Sequence, residues 1–413
     1  MRSPRLIIVV LALATSAGAC GTQTIRPTAM RPTPASPTTA STLQAAISAE
    51  ASPTALSGSP APSGTVNLKL DFACIPDSWA LSTGPSVAFD GTNLVWSAIG
   101  SLADPNLPTL PDLVGFAPGH DSVPHYVYRG PNRDSYINAI AVSDGHYAFV
   151  ENNDRLYGTD GWRLWALLGA GQKAVLLDKG DLPGAPQVGS IAMGGGQVIW
   201  TTFHEVAGVV TSEIRAAHFD GSDPRILASA PASQTEYWWP SLDPTGRVLL
   251  YGTVEHLSGG DEAFRIYRRD LSVPDSSPVG LGTDNTATEP LSNGRTLVWR
   301  TVDNNVINWG NDLVIAAPDG QRPKSLSLPH VGLASLGNRY LAYYRVSVSV
   351  GDLTLYDTAT GTFDLVEQHG PSDPWQFQRG WTVVAGDLLV LRRATETSTP
   401  PPQVCWASLP HVP

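Results

Sequence analysis

Residues 240–251 read PSLDPTGRVLLY, in which a turn of Pro, Asp and Gly leads into an apolar strand that ends on an aromatic residue. This phrase recurs, and we call the large residue that ends each copy its anchor. The seven anchors are Trp96, Phe149, Trp200, Tyr251, Trp299, Tyr343 and Leu391, at successive spacings of 53, 51, 51, 48, 44 and 48 residues. A repeat of that length made of short strands predicts a β-propeller, with one four-stranded blade per copy.

The two ends of the chain complement each other in this pattern. After each anchor come two more strands joined by a turn, as in residues 213–227 (EIRAAHFDGSDPRIL), but the seventh copy stops after its third strand, at residues 403–409. We therefore predict an all-β, seven-bladed propeller whose missing strand is residues 65–72 (TVNLKLDF), since closure removes free sheet edges. A six-bladed ring is the alternative, if one weak copy is a decoration.

The composition fits this fold and excludes one class of partner. The chain has 413 residues and a net charge of −11, and it contains 39 Gly and 35 Pro residues, which suit many tight turns. An acidic chain repels phosphate backbones, and no basic stripe with interleaved aromatics is present, so we expect no nucleic-acid partner. We expect the protein to be a monomer.

The N-terminus has the features of a secretion signal. A basic start, an apolar segment too short to span a bilayer and a run of small residues precede Cys20. Residues 17–20 (AGAC) resemble a bacterial lipobox, which implies cleavage after residue 19 and acylation of Cys20, with palmitate as a typical chain. The expected location is the extracytoplasmic face of the cell membrane; ordinary secretion is the alternative.

Residues 20–64 are dominated by Pro, Ser, Thr and Ala and contain almost no charged or aromatic residues. Such a segment cannot bury a core, so we predict a disordered stalk that holds the propeller, residues 65–413, away from the membrane.

The three cysteines agree with this organisation. If Cys20 is lipidated, Cys74 and Cys405 remain as an even pair near the two ends of the predicted ring. In an extracytoplasmic protein such a pair indicates a disulfide. Two buried thiols are the alternative.

The repeat also resembles a known class of propeller. Residues 240–251 and turns of the DGSDPRIL type resemble the blade motif of TolB-type propellers, and as a repeat pattern the resemblance covers residues 65–413. It implies a bacterial periplasmic or cell-surface protein, and it implies a binding role, because propellers of this type mostly bind proteins.

The sequence contains no recognisable catalytic motif. We find no G-x-S-x-G elbow, no H-E-x-x-H pair and no phosphate-binding loop, and the nine histidines lack metal-ligand spacing. We therefore expect no metal and no cofactor.

Binding is expected where the loops converge around the channel of the ring. Aromatic side chains beside carboxylates suit sugars or protein partners there. The alternative for Trp238 and Trp239 is that they only pack between blades. The candidate ligand-binding residues are Asp134, Tyr136, Glu236, Tyr237, Trp238, Glu289, Asp373 and Trp375, with Asn132, Arg133 and Gln376 beside them.

Two functions follow from these observations. The first is a membrane-tethered module that binds a protein or glycan at the cell envelope. The second is a glycan hydrolase or lyase in which Asp134, Glu236, Glu289 or Asp373 act as acid and base, because glycosidase chemistry needs two carboxyl groups. The missing catalytic motifs favour the binding module.

Overall fold

The protein is described by a computed structural model. It covers residues 66–75, 87–99, 109–121, 123–131, 135–152, 161–180, 190–282, 286–302, 313–326, 331–346, 351–369, 375–376, 382–395 and 403–410. Within these ranges the chain forms strands and turns and no helix, as the sequence predicts. Accordingly, no described segment is a helix that could cross a membrane.

The described residues form thirty strands. Two short strands come first, β1 (Val66–Asn67) and β2 (Ala73–Cys74). The first three blades contain β3 (Val87–Phe89), β4 (Leu94–Ile99), β5 (Thr109–Phe116) and β6 (His125–Arg129); β7 (Tyr136–Ser143), β8 (His146–Asn152), β9 (Trp162–Leu167) and β10 (Val175–Gly180); and β11 (Ile191–Gly194), β12 (Gln197–Val206), β13 (Val209–His218) and β14 (Arg225–Pro231).

The next three blades have the same order. They contain β15 (Thr235–Leu242), β16 (Val248–His256), β17 (Glu262–Asp270) and β18 (Val279–Leu281); β19 (Ala287–Ser292), β20 (Leu297–Thr301), β21 (Leu313–Ala316) and β22 (Lys324–Ser325); and β23 (Val331–Leu336), β24 (Tyr340–Val346), β25 (Gly351–Asp357) and β26 (Phe363–His369). The last strands are β27 (Trp375–Gln376), β28 (Thr382–Ala385), β29 (Leu388–Thr395) and β30 (Gln403–Ser408).

Seven sheets confirm a seven-bladed propeller and exclude the six-bladed alternative. Each blade is an antiparallel meander, and the seventh consists of β28, β29 and β30 with β2 as its outer strand. The N-terminus thus closes the ring on the C-terminal blade. Cys74 lies directly opposite Cys405 and is joined to it by a disulfide, as the sequence predicts.

The position of the closing strand differs from the prediction. Residues 65–72 were expected to pair with the seventh blade, but β1 pairs in parallel with β26 of the sixth, and only β2 reaches β30. The reason is packing between the blades. Leu68, Leu70 and Phe72 lie against the apolar cluster between the sixth and seventh blades, so this segment crosses from one blade to the next.

The anchors form the core, as the repeat predicts. All seven lie on the second strand of their blade, and none is more than 4 % exposed. Each packs against the preceding blade, as Trp299 does against Leu250 and Ile266, while neighbours such as Val298 face the following blade. Side chains of a strand point alternately to its two sides, so one apolar strand packs against both neighbouring blades. The seven resulting apolar clusters lie between the seven blades.

The ring has two distinct ends. We call the end where the first strand of each blade begins the upper face, and the end with the first-to-second-strand turns the lower face. At the lower face, turns of adjacent blades touch: Asn293 Nδ2 donates to the Gly337 carbonyl at 2.7 Å. Gly195 has a φ angle of +57°. A Cβ atom at this position would lie only 2.6 Å from the backbone oxygen of Thr245, so no larger residue fits there. These contacts hold the lower turns together.

Candidate binding site in the central channel

Buried polar side chains are concentrated toward the upper face. Most lie on the second strand beyond the anchor or in the first half of the third strand. Burial of polar groups costs free energy unless they are hydrogen-bonded, so this concentration sets the upper half apart from the apolar middle. The residues are Ser97, Asp112, Glu151, Asn152, Thr201, Thr202, Ser212, Glu213, Thr253, Arg300, Asp352 and Thr354.

The first strands of the fourth and fifth blades carry the same irregularity one repeat apart, and β23 of the sixth blade repeats the register shift. The pairing of β15 with β16 skips two residues, Trp239 and Pro240, and that of β19 with β20 skips Glu289 and Pro290. Trp239 and Glu289 are 50 positions apart in the sequence and have left-handed φ angles of 48° and 50°. Both are therefore bulge residues that precede a proline.

This conformation is costly for residues that carry a side chain. A non-glycine residue in the left-handed region costs about 1–3 kcal/mol, and such strain is concentrated at ligand clamps and active sites. A bulge also redirects the side chain that it carries. Two strained residues at equivalent positions of adjacent blades therefore mark a candidate site.

Trp239 and Glu289 line one cavity of about 400 Å³ at the inner ends of the blades. This volume lies within the usual range for small-molecule sites, about 300–1,000 Å³. The cavity extends from β11 of the third blade to Ala334 of the sixth. Its other lining residues are Ser190, Ile191, Ala192, Met193, Pro240, Ser241, Leu242, Pro290, Leu291, Val298, Arg300 and Leu313.

An ion pair forms the polar end of this cavity. Arg300, only 9 % exposed in its side chain, donates from Nη2 to Oε1 of Glu289, which is 27 % exposed. Burial raises the pKa of Glu289 above its ordinary value, and the charge of Arg300 only partly offsets that effect. The pair places one positive and one negative group side by side.

Trp239 is held by its own blade and by the apolar cluster that contains Phe203, Trp238 and Val302. Gly252 on β16 lies beneath the indole, where a Cβ would be 2.6 Å from Cε3 of Trp239. The absence of a side chain at Gly252 thus gives the indole its place at the cavity wall. Trp238, the preceding residue, has its ring centroid 6.2 Å from that of Trp239.

Two residues that line the cavity, and Thr288 next to Glu289, carry buried polar atoms without a hydrogen-bond partner. They are Nε of Arg300, Oγ of Ser190 and Oγ1 of Thr288. Thr288 lies directly across from Arg300 in the sheet, so their side chains share one side of it. Buried groups of this kind are normally satisfied, by a ligand or by water where protein groups do not reach them.

The candidate ligand-binding residues of the fourth blade lie in different surroundings. Trp238 is 3 % exposed and packs among Phe203, Val254 and Phe264, so its ring offers no surface to a ligand. Tyr237 packs against the cluster between the third and fourth blades. Both positions match packing between blades rather than ligand contact.

Glu236 belongs to a separate polar group on the upper face. It accepts a hydrogen bond from Trp238 Nε1 at 3.0 Å, and His256 Nε2 lies 3.4 Å from its Oε1. His256 Nδ1 is 3.5 Å from Glu262 on the next strand. No group of three His, Cys, Asp or Glu side chains in the described residues could hold a metal ion.

Of the remaining predicted residues, Tyr136 is described and does not line this cavity. Tyr136 begins β7, in the second blade. Asn132, Arg133, Asp134 and Asp373 lie outside the described residues, and for Trp375 and Gln376 only the backbone of β27 is described.

A second buried ionic cluster lies between the second and third blades. Burial disfavours ionisation of Asp178, but hydrogen bonds from His204 and Trp200 and the charge of Arg215 outweigh it, so the pKa of Asp178 is lowered. Arg215 Nε also donates to Glu213 at 2.6 Å. A carboxylate kept ionised by three partners serves to join the blades and is unsuited to donate a proton.

The sequence analysis names Glu289 as a candidate but not Arg300 or Ser190, and it considers Trp239 only as a packing residue. A signal was present. Trp239-Pro240 and Glu289-Pro290 occupy the same position of two successive repeats. Proline cannot donate to a sheet ladder, so an X-Pro pair inside a strand indicates a bulge.

No protein-family profile and no curated protein matches the chain. Solved structures do match. A prolyl endopeptidase structure has a TM-score of 0.57 at 12 % identity, over 77 % of this chain and 45 % of its own. Acylaminoacyl peptidase from Pyrococcus horikoshii has a TM-score of 0.53 at 10 % identity, over 81 % and 52 %. The chain therefore spans about half the length of these peptidases.

The third similar structure is a propeller alone. It is the β-propeller domain of the Trilobed protease from Pyrococcus furiosus, with a TM-score of 0.51 at 11 % identity, over 78 % of this chain and 91 % of that one. Our protein is similar to the propeller domains of peptidases. At these identities the likeness concerns the fold alone. That domain is described as having an open velcro topology, whereas here β2 closes the seventh blade.

Proposed function

We propose that the protein is an extracytoplasmic, membrane-tethered binding module for a protein or glycan of the cell envelope, and that the cavity beside Trp239 and Glu289 is its binding site. The observation that carries the site is the pair of strained bulge residues in equivalent positions on adjacent blades. The tether rests on the sequence signals in residues 1–64, which lie outside the described residues.

The arrangement of carboxylates favours binding over catalysis. Glycoside hydrolysis needs two carboxyl groups about 5–10 Å apart. Among the described residues that line the cavity, Glu289 is the one carboxylate, and Arg300 already pairs with it. Glu236, a candidate acid, contacts His256 and Trp238 on the upper face.

The binding site is tested by capture from an envelope extract. The full chain and its Trp239→Ala variant are immobilised, and retained proteins and sugars are quantified by mass spectrometry. We expect the variant to retain at least tenfold less of any specific ligand, because a buried aromatic anchor contributes a large share of binding energy. Tyr237→Phe, on the same strand but packed between blades, is the matched control and should retain the full amount. Equal retention by all three proteins would rule out this cavity.

The tether is tested separately. We expect Cys20→Ser to move the protein from the membrane fraction to the soluble fraction of cells, because acyl chains on Cys20 supply the anchoring energy. Fractionation followed by immunoblotting measures this distribution. A Cys20→Ser protein that remains fully in the membrane fraction would refute lipid tethering and leave the binding site untouched.

A further inference from the structure

We propose that the ligand of this cavity is an uncharged sugar ring that stacks on the indole of Trp239 and accepts a hydrogen bond from Arg300. This inference rests on the proposed function and specifies its ligand. It follows from the charge of the cavity, from its unpaired polar atoms and from its apolar surface.

The charge of the cavity favours a neutral ligand. With Glu289 ionised, its negative charge is balanced by Arg300, and these are the two charged residues among the described lining residues. A cationic ligand would meet Arg300, and an anionic ligand would meet Glu289. Either would bring an uncompensated charge into a partly buried site, which is costly.

The unpaired atoms call for a ligand with hydroxyl groups. Nε of Arg300 can only donate a hydrogen bond, whereas the hydroxyls of Ser190 and Thr288 can donate or accept. A sugar hydroxyl does both, so neighbouring hydroxyls of one ring can accept from Arg300 and pair with Ser190 once small side-chain shifts uncover these buried atoms. An aliphatic or aromatic peptide side chain would leave these atoms unpaired.

The rest of the surface suits the apolar side of a sugar. Trp239 lies beside Pro240, Pro290 and Met193 at the wall of the cavity. The ring carbons of a sugar present C–H groups to an aromatic plane, while its hydroxyls point outward to polar groups. Trp239 provides such a plane, and the ion pair of Glu289 and Arg300 provides the polar groups.

The test compares neutral and acidic sugars on the full-length protein. A glycan array selects the best-bound neutral oligosaccharide, and calorimetry at pH 7.5 then titrates it and its analogue with one hexuronate in place of a hexose. We expect the neutral sugar to bind more tightly, with affinity at least tenfold lower in Trp239→Ala. Tyr237→Phe should stay within twofold of the wild type.

Glu289→Gln gives the sharper result. Glutamine can still accept the hydrogen bond from Arg300, but the cavity then has a net positive charge. We expect this variant to reverse the preference, with the hexuronate analogue bound about tenfold more tightly relative to the neutral sugar than in the wild type. Trp239→Phe, which keeps an aromatic ring, serves as the second variant if Trp239→Ala does not fold.

Three outcomes would overturn the inference. A wild-type preference for the hexuronate that Glu289→Gln does not change would exclude a neutral-sugar site. Binding of a peptide that depends on Trp239, without binding of any sugar on the array, would exclude a sugar ligand and leave the proposed binding module intact. If no ligand captured from envelope extracts depends on Trp239, both the sugar and the proposed site are wrong.

Discussion

Replacing both Cys74 and Cys405 with alanine is expected to lower the free energy of unfolding by about 4–5 kcal/mol. The disulfide joins residues 331 positions apart, and it connects the outer strand of the seventh blade to the strand beside it. Without it, closure depends on the two-residue pairing of β2 and on the packing of Leu68, Leu70 and Phe72. Denaturant unfolding of the oxidised wild type and the double variant measures the difference.

The control separates the covalent link from the packing of the sulfur atoms. Cys405 is fully buried, so its replacement by alanine also removes core contacts. The wild type unfolded in the presence of a reductant keeps both sulfur atoms and should lose most of the same free energy. Equal unfolding midpoints for the oxidised wild type and both comparison samples would show that the link does not stabilise the ring.

Glu289→Met is expected to lower the free energy of unfolding by about 3–5 kcal/mol, because it leaves the guanidinium of Arg300 buried without its partner. Arg300 is 9 % exposed and cannot lose its charge at any ordinary pH. The reverse change, Arg300→Met, should cost less, since Glu289 is 27 % exposed and can take up a proton. Chemical unfolding of both single variants and the double variant forms a complete cycle.

The two single variants should also differ in pH dependence. Burial raises the pKa of Glu289 in the folded protein above its value in the unfolded chain, and loss of Arg300 removes the group that partly offsets this effect. The folded state then binds more protons than the unfolded chain. The stability of Arg300→Met should therefore fall as pH rises from about 4.5 through the pKa of Glu289 in the folded protein. The stability of Glu289→Met should lack this fall, because the variant has no carboxyl group at residue 289. Identical pH profiles would show that Glu289 is not the titrating group.

Much of the fold can be derived from the chain itself. The anchors from Trp96 to Leu391 mark seven copies, and the incomplete seventh copy predicts closure by the N-terminus and the pairing of Cys74 with Cys405. These features are readable because strand alternation and turn chemistry are local, and each blade repeats them. Closure of the ring by the N-terminus also follows from counting strands, because the seventh copy lacks one. This count requires no knowledge of distances.

The sequence predicts only part of the candidate site, because the residues that line the cavity come from four blades. The sequence named Glu289 and Trp238 among the candidates, whereas in the structure Trp238 is buried in the core and Trp239 lines the cavity. Which of two adjacent tryptophans lines the cavity depends on the bulge that sets Trp239 and Pro240 against one residue of β16, because one extra residue reverses the side of the strand.

The chain by itself determined the number of blades and the anchors that separate them, because both depend on a pattern repeated along the sequence. It also determined the disulfide that joins its ends, because an even pair of cysteines lies near the two ends of the ring. The tertiary structure alone decided that β1 crosses to the sixth blade before β2 completes the seventh, and that Arg300 meets Glu289 beside Trp239. Those contacts depend on packing between blades and on local bulges. Neither of these produces a repeating pattern in the sequence.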